Sequence, residues 1–349
     1  MRQGVVDETV GKAVDGGTAY LLTAQDDDGH WRDYDFLGPS DGWMTAYVGG
    51  TLAELDDPTA VSAASRAMDV LLQEQDTNGG WAYNALQPHD ADSTGWVLML
   101  ANSLGRSPDD QWAVRARDFV SQHVRDDGLV STYTMELAGP VFERFPDIPS
   151  WDGWCAAHEC VTAAVASVPQ LPERQRILDA LLAGQRPTGQ WRAYWWVDQE
   201  LTTALACEAL SSVADSGPAR ARAARWAAER IGADGAVHTE LHPGGSPFAT
   251  AWALRVLLAA DDPQEQTARD AATRWLTDHQ RPDGSWLPSA RLRMPFTWES
   301  DADAHVDWTL DGVGRKLLGT IARDTFGLHT TATVVRALAL ASATRIGER

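Results

Sequence analysis

Asp92 is the residue of this chain best suited to acid chemistry. It lies in a motif that recurs six times, at a position two residues before a shared threonine, and it is the only acid at that position. The other five copies carry Trp43, Cys160, Leu201, Phe248 and His329. A carboxyl group among aromatic and apolar neighbours keeps its proton, because burial disfavours the charged form. The sequence therefore predicts that Asp92 is a general acid.

Tryptophan gives the second chemical signal, with 16 residues in a chain of 349. Six of them lie on or next to apolar segments: Trp43, Trp96, Trp154, Trp195, Trp196 and Trp252. They either belong to an ordinary core or line a cavity, and aromatic faces attract cations, so such a cavity suits an apolar ligand or a carbocation. The side chains expected to line it are Trp43, Trp96, Cys160, Phe248, Trp252 and His329.

Two repeated motifs indicate how these residues are positioned. The first is the threonine that precedes an apolar segment, at Thr45, Thr94, Thr162, Thr203, Thr250 and Thr331. The second is a turn that runs from glutamine to tryptophan, at Gln25–Trp31, Gln75–Trp81, Gln185–Trp191 and Gln280–Trp286. Two further copies, near Gln122 and Arg230, lack the tryptophan. The motifs alternate about every 50 residues, which indicates a stack of supersecondary units.

Each unit is predicted to be a pair of helices. The segments before the glutamines have helical apolar spacing with one charged face, whereas the segments after the threonines are apolar on all sides and are typical of buried helices. The sequence thus predicts an all-α chain in which residues 1–349 form a single (α/α)6 toroid around a central cavity. An open solenoid is the alternative, but the absence of a polar terminal repeat favours a closed ring.

Composition narrows the function classes. The net charge of −20 argues against nucleic acid and anionic membrane surfaces as partners. There is no signal segment and no apolar run long enough to span a membrane. Three cysteines, Cys155, Cys160 and Cys207, are too few for a disulfide framework. These features favour a cytoplasmic protein.

The glutamine-to-tryptophan turns resemble the QW motifs of the squalene–hopene cyclase and class II terpene cyclase superfamily. The segment 89–94, HDADST, resembles the acid motif of that superfamily. The resemblance covers nearly the whole chain, but only the C-terminal, acid-bearing half of a squalene–hopene cyclase. It implies that Asp92 protonates an alkene or epoxide of an isoprenoid, with Asp90 as the first acid of the motif. The carbocation would then cyclise in an aromatic cavity shielded from water.

The chain departs from the superfamily pattern beside the acid. Ser93 replaces the third aspartate of the motif, Ala164 stands where the acid-supporting histidine is expected, and Cys160 stands where an aspartate would be. We predict that Ser93 and His158 support the acid here, with His89 as another candidate. Because a single toroid leaves one mouth of its cavity open, we expect a loop, a homodimer or a partner protein to close it.

An insertion at 288–328 is the predicted lid. We expect Phe296, Trp298 or Trp308 to touch the cavity. The large apolar residues of the insertion, which a solvated loop would not need, are Leu292, Met294, Phe296, Trp298, Trp308 and Leu310. Acidic and histidine residues alternate at Asp301, Asp303, His305 and Asp307, so an extended segment would place them on one face. They could bind Mg²⁺, form a second acid centre or simply be solvated. The basic residues Arg291, Arg293, Arg315 and Lys316 could hold a diphosphate or neutralise these acids.

Three functional classes are open on the sequence. The favoured one is a class II-type terpene or meroterpenoid cyclase, which requires no cofactor and would use Mg²⁺ only with a diphosphate substrate. A toroid that binds an isoprenoid or a partner without catalysis is the second. The third is a zinc enzyme similar to protein prenyltransferases, since Asp152, Cys155 and His158 lie close together, although the motif spacing of that family is absent.

Overall fold

The computed structural model describes residues 2–35, 38–310 and 318–347. Most of them lie in helices that alternate between two layers. The outer helices are α1 (Arg2–Thr23), α3 (Pro58–Gln73), α5 (Gln111–Ser121), α8 (Arg174–Gly184), α10 (Gly217–Arg230) and α12 (Gln266–Asp278). The inner helices are α2 (Gly42–Ala53), α4 (Ala91–Ser103), α7 (Glu159–Val165), α9 (Gln199–Leu210), α11 (Pro247–Ala260) and α13 (Leu328–Gly347). The predicted helical class is confirmed for the bulk of the chain.

The inner helices form a closed ring. Each packs against the next inner helix along the chain, and α13 packs against α11 on one side and α2 on the other. The first outer helix, α1, also packs against α13. The open-solenoid alternative is therefore wrong. No helix in the described part of the chain is long and apolar enough to cross a membrane.

The shared threonine fastens each inner helix to the turn that precedes it. Its Oγ1 accepts a hydrogen bond from a backbone N–H of that turn, at 2.8–3.3 Å in the six units. The donor is the turn tryptophan in four units and Val130 or Val237 in the other two. The two turns without tryptophan thus keep the same hydrogen bond between the threonine and the backbone, because that bond does not need the tryptophan side chain.

The turn glutamine joins one unit to the next. Nε2 of Gln25 donates to the Gly29 carbonyl of its own turn and to the Ala63 carbonyl of α3. Nε2 of Gln280 makes the corresponding bonds to Gly284 at 2.9 Å and to Ala13 of α1 at 2.8 Å. This last bond connects the sixth turn to the first outer helix and so completes the ring.

We expect Gln280→Ala to destabilise the ring. The substitution removes two hydrogen bonds and leaves two part-buried carbonyls without this donor, which together cost roughly 2 kcal/mol. Urea unfolding of the variant measures this loss. Gln122→Ala is the matched control, because Gln122 Nε2 donates only to Asp118 in its own helix; its effect should stay below about 0.5 kcal/mol. Equal losses in the two variants would contradict the joining role of the motif.

Short strands and one extra helix depart from the predicted all-helical pattern. Helix α6 (Met135–Phe142) lies between α5 and α7 and is capped by Thr134. Strand β1 (Trp81–Ala82) pairs antiparallel with β2 (His89–Asp90), and this hairpin leads directly into α4. In the insertion, β3 (Arg291–Met294) pairs antiparallel with β5 (Thr320–Arg323), and β4 (Thr309–Leu310) pairs parallel with β5.

The acidic part of the insertion does not form the predicted extended face. A 3₁₀ turn at Ala302–Ala304 interrupts it. Asp301 and Asp303 pair with Arg192, and Asp303 also accepts from Arg293 at 2.8 Å. Arginines thus neutralise Asp301 and Asp303, and Arg293 is one of the basic residues for which the sequence left this role open. Of the other predicted basic residues, Arg291 pairs with the buried Asp198, whereas Arg315 and Lys316 lie outside the described residues.

Candidate active site

The inner helices surround a cavity with two chambers that meet at Asp92. The wide chamber, of about 590 Å³, is lined by Trp43, Tyr83, Gln87, Asp90, Asp92, Ser93, Thr132, Tyr133, Trp154, Trp195, Trp196, Leu292 and Met294. The narrow chamber, of about 300 Å³, is lined by Trp43, Tyr47, Asp92, Trp96, Cys160, Val161, Trp195, Trp196, Leu201, Leu205 and His329. These volumes count all the free space inside each chamber, including space that is open to solvent.

The start of α4 places the acid at this junction. The β1–β2 hairpin delivers Asp90 as the N-cap, whose Oδ1 accepts from the Ser93 backbone N–H at 2.7 Å. Oδ2 of Asp90 accepts from Ser93 Oγ, also at 2.7 Å. Asp92 therefore lies in the first turn of α4, where the repeat predicts it. Because Ser93 bonds to Asp90, it supports the proposed acid Asp92 only by holding Asp90 in place.

The environment of Asp92 keeps its carboxyl protonated. Burial and, to a smaller extent, the nearby Asp90 raise the pKa of Asp92 to about 8. The indoles of Trp43 and Trp96 act in the opposite direction on that pKa, but Trp43 Nε1 has no partner within hydrogen-bonding distance, so burial dominates. Burial also raises the pKa of Asp90, to about 7. A neutral acid at pH 7 is what proton donation to a weakly basic substrate requires.

Tryptophan rings form much of the wall around this acid. The centroids of Trp43 and Trp196 are 5.7 Å apart, and those of Trp154 and Trp195 are 5.3 Å apart. These spacings are typical of packed aromatic pairs, which leave their remaining faces toward the cavity. Such faces stabilise positive charge without offering a nucleophile. The wall is thus suited to a carbocation.

Phe248 and Trp252 lie behind the wall, contrary to prediction. The Phe248 ring packs against Trp196 at 5.8 Å and against His329 at 4.8 Å. The Arg255 guanidinium lies 3.9 Å from the centre of the Trp252 ring, and Glu208 holds that guanidinium through two hydrogen bonds. Neither Phe248 nor Trp252 lines a chamber.

His158 does not reach the acid, so its predicted role was wrong. Its Nδ1 lies 3.1 Å from Thr132 Oγ1 and its Nε2 lies 3.0 Å from the Gly153 carbonyl oxygen. Burial lowers the pKa of His158 to about 3, so the ring is neutral. Thr132 Oγ1 in turn accepts from Trp195 Nε1 at 2.8 Å. His158 therefore fixes the cavity wall through Thr132. The other candidate, His89, bonds to Asn78.

The insertion contributes two of its apolar residues to the cavity, although not the aromatic ones that were expected there. Leu292 and Met294 alternate along β3 and line the wide chamber. The predicted contacts of Phe296, Trp298 and Trp308 are wrong. Phe296 stacks on Trp298 with centroids 4.8 Å apart, and Trp308 packs against His305 at 4.6 Å. Alternation in the sequence RLRM was the signal for β3, since every second strand residue faces the same side.

Three other lining residues were missed in the sequence analysis. Tyr47 follows Trp43 by one helical turn and therefore shares its face of α2. Tyr83 follows the turn tryptophan Trp81 by two residues, and its hydroxyl is buried without a hydrogen-bond partner. Tyr133 stacks on Trp154 with centroids 6.0 Å apart. Tyr47 and Tyr83 could have been identified from the sequence by their spacing from Trp43 and Trp81.

The side chains of the zinc alternative are not arranged as a metal site. Within the described ranges, no group of three His, Cys, Asp or Glu side chains is placed to hold a metal ion. Both nitrogens of His158 are hydrogen-bonded elsewhere, and burial raises the pKa of the Cys155 thiol to about 11. A zinc centre at Asp152, Cys155 and His158 is therefore not formed.

We expect Asp92→Asn to stabilise the protein at neutral pH. The ordinary pKa of aspartate is 3.8, and the pKa of Asp92 in the folded protein is about 8. At pH values between these two, Asp92 keeps a proton that the unfolded chain has released, so the free energy of unfolding falls as pH rises. Asparagine removes this loss, which is on the order of 4 kcal/mol at pH 7. Denaturant unfolding at pH 7 and below pH 4 checks this, because the difference should vanish in acid. An equal difference at both pH values would contradict it.

Comparison with known proteins places the chain in a family. Residues 142–292 match the squalene–hopene cyclase C-terminal domain. A solved structure of a protein from Actinoplanes is 58% identical, with a TM-score of 0.92, over 95% of this chain and 99% of that one. The type II terpene cyclase MstE from Scytonema, in complex with its substrate geranylgeranyl dihydroxybenzoate, is 37% identical, with a TM-score of 0.91, over 97% of this chain and 99% of that one.

A curated relative agrees with this placement. Drimenyl diphosphate synthase from Streptomyces showdoensis is 28% identical over 282 residues, which are 76% of this chain. The chain spans about half the length of that relative, 49%. Near-complete coverage at 37% identity, together with the buried acid in an aromatic cavity, shows that the chain belongs to the type II terpene cyclases of the squalene–hopene cyclase superfamily.

Proposed function

We propose that this cyclase acts on a meroterpenoid precursor, and that Asp92 starts the reaction by protonating the distal alkene of its isoprenoid chain. The observation that carries the proposal is the position of Asp92, a half-buried residue whose carboxyl pKa is raised to about 8, where two aromatic chambers meet. Asp90 and Ser93 hold the turn that presents this carboxyl.

The proposed chemistry balances within the cavity. The π electrons of the distal alkene take the proton of Asp92, which forms a C–H bond, a tertiary carbocation and a carboxylate. The next alkene attacks the cation and closes a ring, and the charge moves along the chain with each closure. Trp43, Trp195 and Trp196, which line both chambers, stabilise this charge while water is excluded.

The wide chamber supports a neutral, phenolic head group. Tyr83, Gln87 and Thr132 offer neutral hydrogen-bonding groups there, and the lining residues in the described part of the chain include no lysine or arginine. MstE, which has nearly the same length as this chain, binds geranylgeranyl dihydroxybenzoate. We therefore propose a polyprenylated hydroxybenzoate as substrate, and the reaction then needs no cofactor.

We further propose that a single toroid of six helix pairs forms the whole active site. The insertion at 288–328 acts as its lid, and this assignment is supported by Leu292 and Met294, which line the wide chamber. A homodimer or partner is then not needed for closure, although association of two copies stays a prediction.

The test is a direct product assay. Purified protein is incubated with geranylgeranyl dihydroxybenzoate and, separately, with geranylgeranyl diphosphate, each with Mg²⁺ or with EDTA. We expect a cyclised isomer of the hydroxybenzoate, unchanged in mass and insensitive to EDTA, and no such product from Asp92→Asn. Turnover of the diphosphate alone, dependent on Mg²⁺, would overturn the proposed substrate and favour a function similar to that of the drimenyl diphosphate synthase.

A further inference from the structure

The narrow chamber contains a second titratable side chain, His329, that the proposed reaction does not yet use. His329 is fully buried at the first turn of α13 and lines the narrow chamber together with Asp92. It stands in the same position of the repeat as Asp92, two residues before the shared threonine. The two side chains therefore approach one cavity from two different inner helices.

One nitrogen of His329 is fixed and the other is free. Nδ1 lies 2.9 Å from the Tyr34 hydroxyl, whereas Nε2 is buried and has no hydrogen-bond partner among the described residues. A buried N–H without a partner is rarer than a buried acceptor without one. This favours the tautomer in which Nδ1–H donates to Tyr34 and Nε2 keeps a free lone pair.

Aromatic rings surround the imidazole closely. The ring centroid of His329 lies 4.4 Å from that of Tyr47, 4.9 Å from that of Trp196 and 5.2 Å from that of Trp43. The ring centroids of Phe248 and Tyr34 lie 4.8 and 6.0 Å from that of His329. These rings exclude water from the neutral imidazole, and their faces would stabilise it as a cation once it has gained a proton.

The proton is held by the acid and not by the histidine. With ordinary pKa values, histidine would hold the proton and aspartate would be ionised. Here burial raises the pKa of Asp92 to about 8 and lowers the pKa of His329 well below its ordinary value. The resting cavity thus contains a proton donor and a neutral acceptor. Low basicity is no handicap toward a carbocation, whose adjacent C–H bonds are strongly acidic.

We propose that His329 is the base that ends the reaction and returns its proton to Asp92, an assignment that rests on the proposed function. A C–H bond next to the final carbocation breaks, its electron pair forms the new alkene, and the proton passes to the Nε2 lone pair. The imidazolium, which lines the same chamber as the Asp92 carboxylate, transfers the proton to it when product leaves. The cycle consumes no external proton, as an isomerisation requires.

The test separates substrate consumption from product identity. Wild type, His329→Phe and His329→Gln are compared on geranylgeranyl dihydroxybenzoate, after circular dichroism has established folding. Both variants keep Asp92, so substrate consumption should fall less than about tenfold. The share of product formed by proton loss should fall at least about fivefold, and water-quenched alcohols should rise, because a general base typically contributes roughly 10²–10⁴-fold. Trp252→Phe, a substitution behind the wall, should leave the product unchanged.

Chemical rescue distinguishes a base from a packing residue. Imidazole added to His329→Ala should restore the proton-loss product, which a merely structural role does not predict.

An unchanged share of the proton-loss product in folded His329→Phe would overturn the role of His329 as a base but leave the proposed cyclase function intact. Failure of the wild type to consume the substrate would overturn both the proposed function and the role of His329. If no His329 variant folds, Tyr34→Phe tests the same role, because it removes the hydroxyl that holds Nδ1 of His329. Without the Nδ1 partner, the proton-loss share should fall, and an unchanged share would count against the base.

Discussion

We expect Asp92→Asn to abolish cyclisation and to leave a folded protein that still binds substrate. Asparagine keeps the size and polarity of the side chain but has no proton acidic enough for an alkene. Removal of a general acid typically costs roughly 10²–10⁴-fold, and we expect a loss of at least about 10³-fold here because no other acid lines the narrow chamber among its described residues. Product assays under single-turnover conditions measure the loss, and substrate-dependent quenching of tryptophan fluorescence measures binding.

Two controls sharpen this expectation. Asp118→Asn changes an exposed carboxyl on the outer helix α5 and should leave activity unchanged. The pH profile of the wild type should show constant kcat/KM below about pH 7 and a tenfold loss per pH unit above about pH 8, since only the protonated form of Asp92, with its raised pKa, is active. Activity that rises through this range, or persists in Asp92→Asn, would assign the acid to another residue.

We expect Gly153→Ala to open the cavity to water. A Cβ on Gly153 would lie 2.4 Å from the Glu299 carbonyl oxygen and 2.6 Å from the Glu299 nitrogen, so the insertion must move away. The backbone N–H groups of Gly153 and Trp154 both donate to the Thr297 carbonyl, and Trp154 Nε1 donates to the Pro295 carbonyl at 3.1 Å. Displacement of this segment therefore displaces a tryptophan of the cavity wall.

The expected result is a fall in kcat/KM of roughly 10–100-fold, because small misplacements near the reacting atoms have effects of this size. Water-quenched, hydroxylated products should rise as a share of the total. Gly139→Ala is the matched control, since a Cβ there meets nothing within 4 Å. Mass spectrometry of the products measures both variants. Unchanged products from Gly153→Ala would show that the insertion does not seal this side of the cavity.

The ring and its acid could be predicted because they depend on local bonds that recur. The shared threonine bonds to a backbone N–H of its own turn, and the turn glutamine bonds to the carbonyl of a glycine four residues later. Such bonds leave a fixed spacing in the sequence. Asp92 was identified as a site residue because one copy of that spacing carries a carboxyl group where the others do not.

The misplaced residues depend on contacts between distant segments, which leave no such spacing. The Trp252 ring packs against Arg255, whose ion pair with Glu208 links α11 to α9. His158 was assigned to the acid from its sequence position, but its partner Thr132 comes from the loop after α5. The alternation in β3 indicates that Leu292 and Met294 share a face, but β3 pairs with β5, a distant segment, so the sequence did not show that this face lines the cavity.

The closure of the ring through Gln280 and Ala13 has a consequence for how the chain folds during synthesis. Helix α1 is made first, yet the partners of its buried face, α12 and α13, are made last. At ribosomal rates of about 5–20 residues per second, Gly17 of α1 is made on the order of 15–60 s before Val335, which lies against it together with Trp286. A chaperone that shields the nascent N-terminal helix during that interval would therefore raise the yield of folded enzyme more than one that acts on the finished chain.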